Sequence, residues 1–328
     1  MSLQFADFDA DGHQDIVTAT WEGTVFLVRG SAEGWQQPEY IRDQNGDLIL
    51  LSFYYDVKAN DYKDVTLEEG AVLEKDKHLI SCFAYDWDKD GDLDLLIGAK
   101  TGELYLRRND GKAGEARFRS KSERLQVGGK PLTVAGGATA MRTVDWDGDG
   151  ALDLLVGSFD GGAWLYRNES SDGEPVYASA TKLLAAPQNA NGSKGPESDW
   201  YVDAQDVDLD GDLDLIVGGH YQDVPPARTL SADEEKRLKE VSAELQACMQ
   251  ENSKFFDKLN SGNLSKEERQ AEFEKLRADP AYTKLNNKMN ELRKEQSDLR
   301  PMPKRTSGIW VYRNRAVQAE GAAPARNG

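Results

Sequence analysis

Four nine-residue segments of the chain place aspartates at positions 1, 3, 5 and 9 and a glycine at position 6. They read DFDADGHQD, DWDKDGDLD, DWDGDGALD and DVDLDGDLD, and they begin at Asp7, Asp86, Asp145 and Asp206. Carboxylates at alternate positions around a tight turn suit a hard cation, for which calcium is the first candidate. The glycine permits the sharp turn, and position 7 can lend its backbone carbonyl. Four copies that all keep the ninth aspartate indicate cation binding.

The acidity of the chain is concentrated in these segments, called loops 1 to 4 below. The formal net charge is −18, and without the sixteen aspartates of the loops it would be −2. Four bound Ca²⁺ ions, one for each loop, would bring the charge from −18 to −10. Nucleic acids and anionic membranes require clustered Lys and Arg, so the sequence predicts neither partner.

Apolar and cysteine content set further bounds. No apolar run approaches the ~20 residues of a membrane span, so we expect no insertion into a membrane. The two cysteines, Cys82 and Cys248, form no disulfide framework and are predicted to be buried thiols.

Each loop is followed by strand signals in a fixed register. An apolar run, such as DLLVG after loop 3, leaves the loop with alternating character. A glycine then opens a second run in each of the first three repeats, at Gly23, Gly102 and Gly161, as in GGAWLYRN. These runs predict a hairpin, and further strands precede the next loop. The later loops recur at intervals of about 60 residues, which suits a four-stranded antiparallel blade. The predicted fold class is therefore all-β, a β-propeller of four or five blades.

The fourth repeat is interrupted. Its second run, SGIWVYRN from Ser307 to Asn314, lies much further from the first aspartate of its loop than the corresponding runs of the other repeats. The extra segment between them is an insertion. We predict a propeller over 1–220 and 307–316, an insertion over 221–306, and a disordered tail over 317–328.

The insertion has helical patterning. Ser231 with Glu234 and Ser265 with Glu268 form capping boxes that open two helices. The predicted apolar seam of the first arm, in steps of three and four, is Leu238, Val241, Leu245, Cys248, Asn252, Phe255 and Leu259. The second arm has Phe273 and Leu276, a break at Asp279-Pro280, and then Leu285, Met289, Leu292 and Leu299. These patterns predict an antiparallel helical hairpin with coiled-coil-like packing.

Outside the insertion the chain resembles the FG-GAP and VCBS repeat family of calcium-loop β-propellers, which includes the integrin α-subunit head. The residues that carry the resemblance are DWDGDGALDLLVG and GGAWLYRN, between Asp145 and Asn168. The resemblance is greatest to bacterial secreted members, and it implies that each loop joins the first and second strands of a blade. The implied ligands, with position 7 acting through its carbonyl, are Asp7, Asp9, Asp11, His13 and Asp15; Asp86, Asp88, Asp90, Asp92 and Asp94; Asp145, Asp147, Asp149, Ala151 and Asp153; and Asp206, Asp208, Asp210, Asp212 and Asp214.

Two features depart from the family pattern. The interval between loops 1 and 2 is longer than the others and leaves unassigned strands around Leu48 to Tyr55 and Ala71 to Leu73, so a fifth, irregular blade stays open. The last repeat ends soon after Asn314 without an outer strand, and exposed strand edges favour pairing with a partner.

Catalysis is not indicated by the sequence. The three histidines, His13, His78 and His220, form neither a triad pattern nor HExxH. We therefore expect a non-enzymatic, calcium-stabilised module for binding, adhesion or protein interaction, with the helical hairpin as a contact element or a site of self-association. The partner can be a protein or a glycan. The alternative is a carbohydrate-active enzyme or carbohydrate-recognition domain, in which the aromatic row stacks on sugar rings, although alternation favours blade core for that row. The row is Phe26, Tyr105, Trp164 and Trp310. A third possibility is a purely structural unit of a larger surface assembly.

The start of the sequence bears on localisation. The residues MSLQFADFD enter loop 1 at once and leave no room for a signal peptide. Either the protein is cytosolic or its targeting segment has been removed. We favour the second alternative, a secreted, periplasmic or cell-surface protein, because millimolar calcium outside the cytosol fills loops of modest affinity.

Overall fold

A computed structural model describes residues 3–51, 53–56, 61–64, 79–170, 173–187, 195–226, 228–257, 259 and 265–314. The chain separates into two compact units. One is Met1–Tyr221 together with the segment that starts at Arg305, and the other is Gln222–Lys304. The predicted tail 317–328 and the predicted strand at Ala71 to Leu73 lie outside the described residues.

The first unit is built from antiparallel sheets whose strands follow one another in sequence. In chain order the strands are β1 (Leu3–Ala6), β2 (Asp15–Ala19), β3 (Val25–Val28) and β4 (Glu39–Tyr40) in sheet 1; β5 (Phe53–Asp56) and β6 (Asp61–Asp64) in a ribbon; β7 (Leu79–Tyr85), β8 (Asp94–Ala99), β9 (Leu104–Arg107) and β10 (Glu123–Arg124) in sheet 2; β11 (Gln126–Val127) and β12 (Lys130–Pro131) in a second ribbon; β13 (Ala138–Val144), β14 (Asp153–Ser158), β15 (Gly162–Asn168) and β16 (Tyr177–Ala185) in sheet 3; and β17 (Ser198–Gln205), β18 (Asp214–Asp223) and β19 (Lys304–Tyr312) in sheet 4.

Each acidic loop joins the first and second strands of its sheet, as the resemblance implied. Sheet 4 regains its third strand beyond the insertion, because β19 lies beside β18. In the described part of the chain sheet 4 has three strands. The segment near Leu48 to Tyr55 contributes the β5–β6 ribbon and an isolated antiparallel bridge between Leu48 and Arg42. The described strands show no closed sheet, so the number of blades, four or five, stays a prediction.

The strands that leave loops 2 and 3 are buried at every position. The sequence analysis expected alternation, which β2 shows, but β8 and β14 have buried residues throughout. The reason is that both of their faces are covered by neighbouring sheets. One apolar cluster joins sheets 1 and 2, a second joins sheets 2 and 3, and a third joins sheets 3 and 4. The core of this unit therefore lies between consecutive sheets.

Arg142, on β13, contacts the first strand of each of the other three sheets. Its guanidinium lies 5.4 Å from the ring centroid of Phe83, its Nη2 donates to the carbonyl of Leu3 at 3.4 Å, and its Nε lies 3.6 Å from Asp203. These residues belong to β7, β1 and β17. Arg142 thus links the first strands of all four sheets.

The second unit contains three helices: α1 (Ala232–Phe256), α2 (Lys266–Ala278) and α3 (Pro280–Leu299). Both predicted capping boxes are confirmed, at Ser231 and Ser265. The predicted break is confirmed as well, because Asp279 ends α2 and accepts a hydrogen bond from the Ala281 amide at 2.7 Å at the start of α3. Among the described helices, none is long and apolar enough to cross a membrane.

Helices α1 and α3 pack against each other in antiparallel directions. Arg237 near the start of α1 pairs with Glu295 near the end of α3 at 2.7 Å, and the Phe255 and Tyr282 rings at the opposite ends are 5.6 Å apart. The buried seam between them is Val241, Leu245, Cys248, Leu285, Met289 and Leu292. Phe273, predicted for the seam, is 40% exposed and lies beneath Arg277. Leu276 of the same helix is 8% exposed, so one of the two apolar residues predicted in this part of the second arm is buried and the other is not.

Candidate metal centres

The first three aspartates of loops 2, 3 and 4 each bring one carboxylate oxygen into a group within 4.8 Å, and in loop 1 the group is Asp7, Asp9 and Asp15. Backbone amides shape these clusters. In every loop the amide of the glycine at position 6 donates to the carboxylate at position 1, at 3.0 or 3.1 Å. The amide of position 7 donates to the carboxylate at position 5, at 2.8 to 3.1 Å. The loops are therefore folded so that their carboxylates converge.

Position 4 of each loop adopts a left-handed conformation that the sequence analysis did not predict. The φ angles are 57° at Ala10, 62° at Lys89, 74° at Gly148 and 62° at Leu209. Only loop 3 has glycine at this position, and that glycine is the one feature of the sequence that indicates a left-handed conformation. Because the left-handed region is costly for residues with a Cβ atom, loops 1, 2 and 4 carry backbone strain beside the predicted ligands.

The ninth aspartates, Asp15, Asp94, Asp153 and Asp214, are buried and fix the loops to the sheets. One carboxylate oxygen accepts from the amide at position 2 of the same loop, at 2.9 to 3.2 Å. The other accepts from the amide that follows the arginine at the end of the third strand, at 2.6 to 2.8 Å. These residues were predicted as ligands, and their contacts show that they also hold two backbone segments together.

Asp92 at position 7 of loop 2 differs from the other described carboxylates of the loops. Its side chain is 4% exposed, and neither of its oxygens has a hydrogen-bond partner among the described residues. Burial raises the pKa of Asp92 to about 6, and the neighbouring Asp90, Asp88 and Asp86 contribute to the rise. The sequence predicted only a carbonyl contribution from this position, so the side chain is an additional candidate ligand.

The oxygen donors of the loops fit a bound calcium ion. A buried carboxylate among like charges is unfavourable unless a cation or a proton compensates it. Asp9 and Asp145 each also have one buried oxygen, Oδ1, without a hydrogen bond in the described part of the chain. Calcium takes six to eight oxygen ligands in flexible geometry. In loops 2, 3 and 4 the side chains of positions 1, 3 and 5, with the carbonyl of position 7, would hold it, and Asp92 would add its carboxylate in loop 2. In loop 1 the converging carboxylates are those of positions 1, 3 and 9, and Asp11 is not among them.

An arginine pairs with the position-3 aspartate in all four loops. The pairs are Arg29 with Asp9, Arg108 with Asp88 at 3.5 Å, Arg167 with Asp147 at 3.0 Å, and Arg313 with Asp208 at 3.2 Å. The strands that contain or precede these arginines were predicted from the sequence, but the contact of the arginines with the loops was not.

The two described histidines, His13 and His220, do not assemble a recognisable catalytic group. His13 is exposed in loop 1, and His78 lies outside the described residues. The Nδ1 atom of His220 lies 3.0 Å from the Ser307 hydroxyl, while its Nε2 atom lies 3.9 Å from Asp199, beyond hydrogen-bond distance. Asp199 is instead paired with Arg305. The arrangement therefore differs from a Ser-His-Asp triad.

The aromatic row is partly buried rather than open. Tyr105 and Trp164 pack against the clusters between sheets, and Phe26 packs on Tyr40 with ring centroids 4.3 Å apart. Trp310 lies edge-on to Tyr221 at 6.0 Å. These contacts agree with the expected packing role.

Comparison with known families supports the repeat assignment. The FG-GAP-like repeat family matches residues 86–156 and 145–217, each stretch running from the first aspartate of one loop to the strand that leaves the next loop. The chain therefore contains two FG-GAP-like repeats, and this part of the resemblance is confirmed. Its mostly β structure, with several antiparallel sheets and three helices, is consistent with an FG-GAP β-propeller-like fold. FG-GAP repeats are typical of extracellular binding and adhesion modules, and the family is generally non-enzymatic. No curated protein matches the chain significantly.

Proposed function

We propose that this chain is a non-enzymatic, calcium-stabilised β-propeller that acts outside the cytosol as a binding, adhesion or protein-interaction module. The observation that carries the calcium part is Asp92, a buried carboxylate without a hydrogen bond among the described residues that lies near three other carboxylates. A cation in the loop relieves this repulsion. The bacterial secreted type of repeat is part of the same proposal.

Calcium has a structural role in this proposal. Each loop connects two strands, and its ninth aspartate fixes the loop to the third strand. A cation bound by positions 1, 3 and 5 would therefore stabilise the end of a whole sheet. Since such a site exists only in the folded chain, the free energy of binding adds to the free energy of unfolding.

Calcium titration by calorimetry tests the metal assignment. We expect about four ions per chain, one for each loop. The Asp92→Asn variant removes a proposed ligand from loop 2 alone, and the matched Asp212→Asn variant changes position 7 of loop 4, where the side chain is more exposed. Asp92→Asn is expected to weaken one site more than Asp212→Asn does. The absence of calcium binding to the unmodified chain would contradict the proposal.

The helical unit is the proposed protein contact. A groove of about 970 Å³ is lined by Pro225 and Pro226, by Leu238 and Lys239 of α1, and by the chain around Leu299. Met249 of α1 and Phe273 of α2 are additional exposed apolar side chains. Deletion of Ser231 to Leu299, with the remaining ends joined, tests self-association by mass in solution. An oligomer that becomes a monomer supports the contact, and an unchanged number of chains per particle contradicts self-association through the hairpin.

Carbohydrate recognition is the second candidate, and an exposed aromatic pair favours it. Phe5 and Trp35 are 57% and 55% exposed, with ring centroids 6.1 Å apart. Exposed aromatic faces can stack on apolar faces of sugar rings. A glycan array probed with and without a calcium chelator distinguishes the candidates. Glycan binding that is lost in Trp35→Ala supports carbohydrate recognition. If the chain neither binds nor cleaves any glycan, protein interaction remains as the proposed function.

A further inference from the structure

The position-3 aspartate of each loop has the same cationic neighbour. In loops 1 to 3 the arginine lies at or just after the end of the third strand of the same repeat, and in loop 4 the equivalent arginine lies beyond the insertion. In all four loops the arginine Nη1 atom faces the Oδ2 atom of the aspartate. Four occurrences of one atom pair, one of them across a second structural unit in sequence, indicate a shared role.

We infer that Arg29, Arg108, Arg167 and Arg313 are positioning residues that orient the position-3 carboxylate toward the cation of their loop, with an effect that grows with the burial of the arginine. This inference rests on the proposed calcium binding. Partners behind a metal ligand commonly fix its orientation and change metal affinity. The two oxygens of Asp9 show the required division, because Oδ2 is paired with Arg29 while Oδ1 is buried without a hydrogen bond among the described residues.

At Arg108 an effect on the orientation of the Asp88 carboxylate can be separated from an effect of the positive charge. Its side chain is 13% exposed, and two further carboxylates hold it, Glu174 at 2.8 Å and Glu123 at 3.2 Å. The hydrogen bond to Glu174 is the main reason that the pKa of Arg108 is raised. Since these two carboxylates balance the guanidinium charge, repulsion between Arg108 and a cation in loop 2 is reduced. The remaining effect of Arg108 is that its fixed guanidinium orients the Asp88 carboxylate.

Arg167 provides a matched comparison. It makes the same pair with Asp147 in loop 3, but its side chain is 58% exposed. Exposed ion pairs between long side chains contribute little, because solvent screens them and ordering them costs entropy. Removal of Arg167 is therefore expected to affect its loop much less than removal of Arg108.

The sequence also provides a separate reporter for each of these loops. Position 2 is Trp87 in loop 2 and Trp146 in loop 3, whereas loops 1 and 4 have Phe8 and Val207 there. Terbium bound in a calcium site emits when a nearby tryptophan is excited. Trp35 lies beside Gly30, whose amide donates to Asp15 of loop 1, so both backgrounds also carry Trp35→Phe. With that change, a Trp146→Phe background reports loop 2 through Trp87, and a Trp87→Phe background reports loop 3 through Trp146.

The test is terbium titration and calcium competition of Arg108→Gln and Arg108→Lys in the Trp146→Phe background of the full chain. We expect Arg108→Gln to weaken binding at loop 2 by about tenfold or more, with partial recovery in Arg108→Lys. Arg167→Gln, measured at loop 3, is expected to change affinity by less than about threefold. Circular dichroism with and without chelator checks the fold, and Arg108→Lys serves if Arg108→Gln does not fold.

The test distinguishes failure of the positioning role from failure of the proposed calcium binding. If the parent chain binds calcium and loop 2 of Arg108→Gln binds terbium as tightly as its parent, or more tightly, the positioning role is overturned while the proposed calcium binding stands. If the parent chain binds neither ion, both are overturned. Selective weakening at loop 2 that Arg108→Lys partly restores supports the positioning role, because loss of a positive charge alone would strengthen cation binding.

Discussion

The backbone amide of Asn314 donates to Asp214 Oδ1 at 2.8 Å although the insertion separates the two residues in sequence. The same bond joins Asn168 to Asp153 at 2.7 Å and Asn109 to Asp94 at 2.6 Å within uninterrupted repeats. The helical insertion therefore leaves the register of its repeat unchanged. Each ninth aspartate connects its loop to the end of the third strand of its own sheet.

The first prediction concerns this connection. Asp214→Ala removes the acceptor of two backbone amides, those of Val207 and Asn314. Because hydrogen bonds to a buried carboxylate are strong and orphaned amides are costly, we expect a loss of about 2 kcal/mol or more in the free energy of unfolding. Urea denaturation in saturating calcium measures it. The control Asp212→Ala, at a more exposed site in the same loop, is expected to cost less, and equal losses would contradict this explanation.

The second prediction concerns the left-handed residue at position 4. Leu209 has φ 62° and is 86% exposed, so a glycine there relieves strain without loss of packing. We expect Leu209→Gly to raise the free energy of unfolding by up to about 1 kcal/mol, reduced by the greater entropy of glycine in the unfolded chain. The reverse change, Gly148→Ala at φ 74°, is expected to lower it. The melting temperatures of both variants test this prediction. Changes of the same sign in the two variants would refute the proposed backbone strain.

The third prediction concerns Arg142. Arg142→Met keeps an apolar stem beside Phe83 but loses the contacts with Leu3 and Asp203. We expect the free energy of unfolding to fall by about 1–2 kcal/mol, because one charge-assisted bond and one cation–π contact are lost. The control is Arg124→Met, at an exposed position of β10 that pairs with Glu103. A loss no greater than that of the control would show that Arg142 does not link the sheets.

The fourth prediction concerns pH in calcium-free buffer. Burial raises the pKa of Asp94 to about 7 and that of Asp92 to about 6, above the value near 4 of an unfolded aspartate. The folded chain therefore binds more protons than the unfolded chain between about pH 4 and 7, and stability falls as pH rises through this window. We expect a higher melting temperature at pH 5.5 than at pH 7.5, with a smaller difference in Asp92→Asn. Saturating calcium should reverse the trend, since it competes with protons for the same oxygens.

The features that depend on local sequence patterns were predicted from the sequence. The spacing of carboxylates located the four loops, and alternation and register located the strands on both sides, including β19 beyond the insertion. Steps of three and four residues identified Val241, Leu245 and Cys248 as buried, and both capping serines were placed correctly. Burial of both cysteines is also confirmed.

The features that the sequence did not predict depend on neighbours in space. Continuous burial of β8 arises because sheets cover both of its faces. The pair of Arg108 with Asp88 and Glu174 joins a loop to a segment of the next sheet, and no spacing rule reports it. The oxygens of Asp92 have no hydrogen-bond partner among the described residues because the side chain is buried there, whereas Asp212 at the same loop position is more exposed.

The most direct measurement is the melting temperature of the full chain in calcium and in chelator. With four sites filled well above their dissociation constants, we predict a rise of about 10 °C or more in saturating calcium. The control replaces Asp11, Asp90, Asp149 and Asp210 with Asn, which keeps an acceptor for the position-7 amide and removes four charges. This variant should fold and lose most of the calcium shift. Coincident melting curves of the unmodified chain with and without calcium would contradict calcium stabilisation of the four loops.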